Sequence, residues 1–199
     1  THSAGEMPLA RLLELIAAIY PTNDRLLGIG VSAPGPLYPF SGTILTAPNV
    51  KGFSNLPLRK IIAERFGVPV TVGNDANLAA LAEWKYGAGQ GFHNLIYMTI
   101  STGIGAGVIL ADRLVLGERG LATELGHVTV LPDGPLCPCG QYGHLEAVAA
   151  GPAIARWTEA QIKSGEVSCL PAGQALTAKS VGEAAENGDA DGERGHVQP

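Results

Sequence analysis

Residues 137–146 read CPCGQYGHLE and bring Cys137, Cys139, His144 and Glu146 into one short stretch. A disulfide between Cys137 and Cys139 is disfavoured, because two residues this close do not reach relaxed bridge geometry. Two thiols beside an imidazole suit a metal ion, and a closed, structural zinc site takes four ligands. His127 lies ten residues before Cys137, near enough for a loop to return, and is the best candidate for the fourth. His127, Cys137, Cys139 and His144 would then form a tetrahedral Cys₂His₂ centre. The competing reading is a pair of free thiols and an ordinary histidine. The spacing is tighter than in zinc fingers, so support comes from the chemistry of the donors and not from a motif. Cys169, far from the others, reads as an incidental thiol.

Three further stretches carry candidate chemistry. STGIGAG (101–107) is a glycine-rich turn after an apolar run, where backbone N–H groups could cradle a phosphate. A dinucleotide-binding turn opens a helix, whereas these glycines lead into another strand. An ordinary hairpin turn fits equally well. GNDAN (73–77) stands between a strand and a helix. Asn and Asp are preferred helix N-caps, yet the loops beyond the carboxyl ends of strands are also where open α/β sheets bind ligands. A carboxylate there could accept a proton from a substrate hydroxyl. In GLATELGHVTV (120–130), Glu124 and His127 are three apart and share a face if that piece is helical.

The elements that must position these residues alternate. PLARLLELIAAIY has apolar residues at helical spacing, with Pro8 suited to the first turn and Pro21 and Asn23-Asp24 to stop it. LLGIGVSA reads as a buried strand, GTILTAPNV as a short one, LRKIIAERF as a helix closed by Gly67, VPVTVG as a strand and NDANLAALAEWKYG as a helix. This alternation predicts an α/β layer with at least partly parallel strands. From about residue 93, NLIYMTIS, AGVIL and LVLG predict a β-meander, followed by a loop-rich stretch to Gly143 and helices through HLEAVAA and PAIARWTEAQIKSG. The expected division is 1–92 and 93–199, with a disordered tail from about 182, where large apolar residues become rare. With 199 residues, 46% hydrophobic and 16% charged, the chain reads as an ordinary globular protein. Its net charge of −5 argues against direct nucleic-acid binding. No apolar run spans a bilayer and no signal peptide is visible, so the expected compartment is the cytoplasm.

GNDAN, TGIG after a strand, E-L-G-H and C-P-C-G-Q-Y-G-H-L-E occur together in the order found in the ROK family of repressors, open reading frames and kinases. The resemblance covers roughly Gly28 to Gly151. It implies the two-domain actin-like ATPase (ribonuclease H-like) fold, here incomplete, with a zinc-stabilised loop. It further implies transfer of the γ-phosphate of ATP, with Mg²⁺, to a hexose or N-acetylhexosamine, in a glucokinase-like kinase. Carried over by motif, Asp75 is the catalytic base and Asn74 a sugar-binding neighbour. Glu124, His127, Glu146 and, less directly, Asn49 are sugar-binding residues. Thr102, Gly103 and Gly105 match the second phosphate motif. The zinc ligands are His127, Cys137, Cys139 and His144, with His144 standing where the family usually has a third cysteine. Family members often form dimers or tetramers, which gives a homodimer or homotetramer as the expected assembly.

The departures also give expectations. ROK kinases begin with a hairpin bearing Asp-x-Gly-Gly-Thr, absent here, and the adenosine-binding glycines do not follow. Ser101 stands where many members have Gly. A truncated chain with half its nucleotide site missing, and inactive as it stands, is therefore expected. The alternative is the sugar-sensing part of a ROK transcriptional repressor with its DNA-binding head upstream. Retention of Asp75 favours the kinase.

Overall fold

Apolar residues at helical spacing form α1 (Pro8–Ala18), where Pro8 occupies the first turn and its missing N–H costs nothing. The computed structural model describes residues 8–22, 25–46, 50, 52–171, 173 and 175–188. The expected Asn23-Asp24 stop and the candidate Asn49 lie outside the described residues. Leu9, Leu12, Leu13 and Ile16 of α1 pack half-buried against a cluster of Ala33, Leu37, Ile44, Leu58, Ile62, Val70 and Val72. After β1 (Ile29–Ala33), the short strands β2 (Leu37–Tyr38), β3 (Thr43–Thr46) and β4 (Ser54–Leu56) pair antiparallel in that order. Helix α2 (Leu58–Phe66) ends at Gly67, whose φ of 67° lies in the left-handed region a C-cap favours. Strand β5 (Val70–Asn74) then runs parallel to β1, with Ser32 opposite Gly73 and Ala33 opposite Asn74. The parallel pairing expected of the alternating pattern is present, and it sets the ends of β1 and β5 side by side. Helix α3 (Asp75–Tyr86) starts at that edge.

The meander follows as β6 (Leu95–Ile100), β7 (Ile104–Leu110) and β8 (Arg113–Leu114), in that spatial order. The third strand is shorter than the LVLG run. Ala111 and Asp112, with φ of 48° and 63°, make a two-residue hairpin turn that returns the chain at once, pairing Leu110 with Arg113. Beyond it lie a single 3₁₀ turn (Leu125–His127), α4 (Leu145–Ala149), α5 (Gly151–Lys163) and α6 (Ala178–Glu186). Helix α6 corrects the tail expected to be disordered from about 182. It continues to Glu186 because Thr177 and Ser180 form a reciprocal capping box and Val181 and Ala184 are buried. Residues from 189 onward lie outside the described set. No helix among the described residues is long and apolar enough to cross a membrane.

The chain forms two compact units, Thr1–Tyr97 with Gly107–Thr123, and Met98–Ala106 with Glu124–Pro199. Instead of a single cut after residue 92, the chain crosses between them after residues 97, 106 and 123; the first two crossings fall within β6 and β7, and the third just before the 3₁₀ turn.

Candidate functional site

In the second unit, two arms of irregular chain are stitched together. Val130 and Leu131 both donate their N–H groups to the Gly143 carbonyl, Thr129 bridges His144, and Leu136 bridges Tyr142. Gly143 makes this possible, because its φ is 68° and a Cβ there would collide with the Leu131 carbonyl. The folded-back arms bring together the four residues expected to hold metal. One donor atom each from His127, Cys137, Cys139 and His144 lies within 4.8 Å of all the others. His127 Nδ1 is 3.7 Å from Cys137 Sγ, and His144 Nδ1 is 3.2 Å from Cys139 Sγ. Zinc bonds of 2.0–2.3 Å in a tetrahedron separate ligand atoms by about 3.3–3.8 Å; the two His–Cys pairs lie close to that range, and the donor set suits zinc. Cys137 and His144 are buried while Cys139 and His127 are exposed. Burial pushes the Cys137 thiol up; Cys139 and Glu146 add to this, against an opposing backbone hydrogen bond at Cys139. A bound cation reverses that preference and holds the thiolate.

Glu146, in the first turn of α4, links this loop to the glycine-rich turn. Its Oε1 is 3.9 Å from Cys137 Sγ, and its Oε2 accepts the Ile104 N–H at 2.9 Å. A Cβ on Gly103 would run into the Glu146 carboxylate, which explains glycine there. Thr102, Gly103 and Gly105 thus lie at and beside a tight hairpin turn, with Thr102 exposed and Ser101 N–H closing it onto the Gly103 carbonyl. Glu124 is exposed and immediately precedes the 3₁₀ turn that carries His127. Glu124 and His127 are therefore presented by one short segment.

In the first unit the two residues of the Asn74-Asp75 pair differ in what they do at the start of α3. Asn74 Oδ1 accepts the N–H groups of Ala76 (3.1 Å) and Asn77 (3.2 Å), so Asn74 is the N-cap of α3. Asp75 follows as the first helical residue, exposed, with Oδ1 sharing the Ala76 N–H at 2.9 Å. A Cβ on Gly35 would press on the Asn74 amide, so the loop after β1 lies close against this cap. Sequence reading did not single out Asn77 or Thr123. Asn77 is buried in α3 and receives a 3.4 Å hydrogen bond from the hydroxyl of Thr123. Thr123 holds a φ of 70°, uncommon for a β-branched residue, directly before Glu124. No local pattern pairs residues 46 apart.

The chain matches the profile of the ROK family over residues 7–195. A putative xylose repressor of Caldicellulosiruptor sp. (strain Rt8B.4) is 38% identical over 154 residues, covering 77% of this chain and 38% of that protein. The glucokinase of Streptomyces coelicolor is 40% identical over 137 residues, covering 69% of this chain and 43% of the relative. Among solved structures, a ROK family transcriptional regulator, a homologue of the E. coli MLC protein, superposes with a TM-score of 0.84 at 36% identity. It covers 94% of this chain and 48% of its own. The ROK hexokinase from Thermus thermophilus gives a TM-score of 0.79 at 39% identity, covering 94% and 60% respectively. The likeness to ROK kinases assigns the actin-like ATPase type of α/β fold. The chain spans about half the length of the curated relatives it matches.

Proposed function

Because the chain belongs to the ROK family, we propose that it is the core of a glucokinase-like sugar kinase, which transfers the γ-phosphate of ATP to a hydroxyl of a hexose or N-acetylhexosamine. Phosphoryl transfer asks little covalent chemistry of a protein; positioning and charge stabilisation carry most of the rate. In the first unit, Asp75 accepts the proton of the attacking sugar hydroxyl, and Asn74 hydrogen-bonds the sugar beside it. In the second, Glu124, His127 and Glu146 are proposed as sugar-binding residues. A carboxylate oxygen has two lone pairs, so the bond from Ile104 leaves Glu146 able to accept from a sugar. Asn49 is proposed as a further sugar-binding residue. Backbone amides around Thr102, Gly103 and Gly105 hold phosphate, whose charge Mg²⁺ offsets. Zinc, held by His127, Cys137, Cys139 and His144, is structural: it fixes the fold of the loop and takes no part in the transfer.

The observation that carries this reading is the division of labour at the end of β5. Asn74 is the N-cap and accepts from both Ala76 and Asn77, whereas the exposed acid at position 75 only shares the Ala76 N–H, so it is not needed to start the helix. The second reading, a sugar-sensing repressor segment, draws on the xylose repressor relative and on the regulator structure. It retains sugar binding and dispenses with the base. A coupled assay with ATP and glucose, N-acetylglucosamine or N-acetylmannosamine separates the two, when run on a protein that carries this segment at the length of its relatives. Turnover of one of these sugars is expected. Sugar binding measured by calorimetry, with no turnover of any of them, would favour the repressor.

A further inference from the structure

We propose that Glu146 is a positioning residue that ties the metal loop to the hairpin turn, so that the order of residues 101–104 depends on the metal. The inference rests on reading the cysteine–histidine cluster as a metal centre. The turn is met by three residues that lie close in the chain to that cluster, Gly126, Glu146 and Gly151. Glu146 Oε2 accepts the Ile104 N–H, and Gly151, after α4, donates its N–H to the Ser101 carbonyl at 2.8 Å. Gly126, between Glu124 and His127, packs so closely on the Ile104 carbonyl that a Cβ could not fit, and a Cβ on Gly151 would sit 2.9 Å from the Ser101 oxygen. The start and end of the turn are thus both bonded to the segment from Glu146 to Gly151.

Helix α4 has only five residues, far too few to be stable by itself. Its N-cap residue is His144, a candidate ligand, and Glu146 lies in the first turn that this residue opens. Pinning the His144 imidazole therefore pins Glu146. Cys137, on the opposite arm, faces the other oxygen of the same carboxylate. Ile104 is 5% exposed, so if the carboxylate withdraws its N–H is left unpaired until the turn opens to water.

The test is amide hydrogen exchange on the whole chain loaded with zinc, read at Ile104, at Leu145, whose N–H bonds Val128, and at Gly67, whose N–H bonds Ala63 in the first unit. In Glu146→Ala, Ile104 should exchange about tenfold faster or more, while Leu145 stays protected and the zinc content is unchanged. Glu146→Gln, which keeps an acceptor oxygen, should restore protection. Protection of Ile104 unchanged in the alanine variant, or a glutamine variant that behaves like alanine, overturns the proposal. Should Glu146→Ala fail to fold, the wild-type chain stripped with EDTA decides. Ile104 should open together with Leu145 while Gly67 stays closed; Ile104 still protected without metal would overturn the link. A wild-type chain that takes up no zinc would instead remove the metal reading on which the proposal stands.

Discussion

Around β1 and β5, seven apolar side chains are buried in one cluster, and α1 adds a half-buried face. Between residues 128 and 144 of the other unit, only Cys137, Gly143 and His144 are buried. Val128, Val130, Leu131, Leu136 and Tyr142 of that loop are each between 48% and 62% exposed. The first region is held by removing apolar surface from water. The second has no comparable core, and its buried side chains at 137 and 144 belong to the candidate metal site. The lesson is that one chain uses two means of fixing site residues, and each should break in its own way.

The largest effect should come from the metal side. Structural zinc contributes about 10–16 kcal/mol of apparent binding energy in small peptides at neutral pH, so losing a ligand should cost the loop its order altogether. In Cys139→Ala, elemental analysis should find the zinc gone, and the amides of Val130 and Leu145 should lose exchange protection. Gly67 in the first unit should keep its own. The converse break is Ile62→Ala, which empties a fully buried position of the apolar cluster. It should destabilise by about 2–5 kcal/mol, seen as a lower urea midpoint, with zinc content unchanged. Parallel losses in both regions from either variant would show that the two are not held separately.

A smaller effect concerns pH. Burial raises the Cys137 thiol in the metal-free chain, so the folded state favours the protonated thiol more than the unfolded state does. Whatever order the stripped loop keeps should therefore be complete below the ordinary thiol range and fall as pH rises through it. The zinc-loaded chain should respond with the opposite sign, because the ligands must shed protons to bind and metal affinity grows with pH. Denaturation midpoints from about pH 6 to 9.5, with and without EDTA, check both directions. Equal slopes would argue that Cys137 is no ligand.

Much of this was legible in the sequence because the signals were local. Helical spacing together with Gly67 located α2, β-branched residues located β5, and the chemistry of two thiols and two imidazoles selected the four side chains that converge. The misses have physical causes as well. Strand β4, Ser54–Leu56, has neither alternation nor β-branched residues, includes Asn55 at a φ of 48°, and exists through its pairing with β3. Helix α6 looks weak by composition and is decided by its capping box and two buried side chains. The three crossings between units and the Asn77–Thr123 bond depend on contacts between residues far apart in the chain. Sequence patterns do not encode those separations.

The central claim, that this is the core of a sugar kinase with Asp75 as its base, is most directly tested by Asp75→Asn in a protein that carries this segment at the length of its relatives. The cap on α3 belongs to Asn74, so the substitution should leave the melting temperature nearly unchanged. It should also leave the sugar Kd nearly intact. The amide cannot take the hydroxyl proton, and a positioned general base contributes about 10²–10⁴-fold in rate, so kcat should fall by that order. A variant that keeps its kcat, whatever its melting temperature, would contradict the assignment and leave the repressor reading ahead.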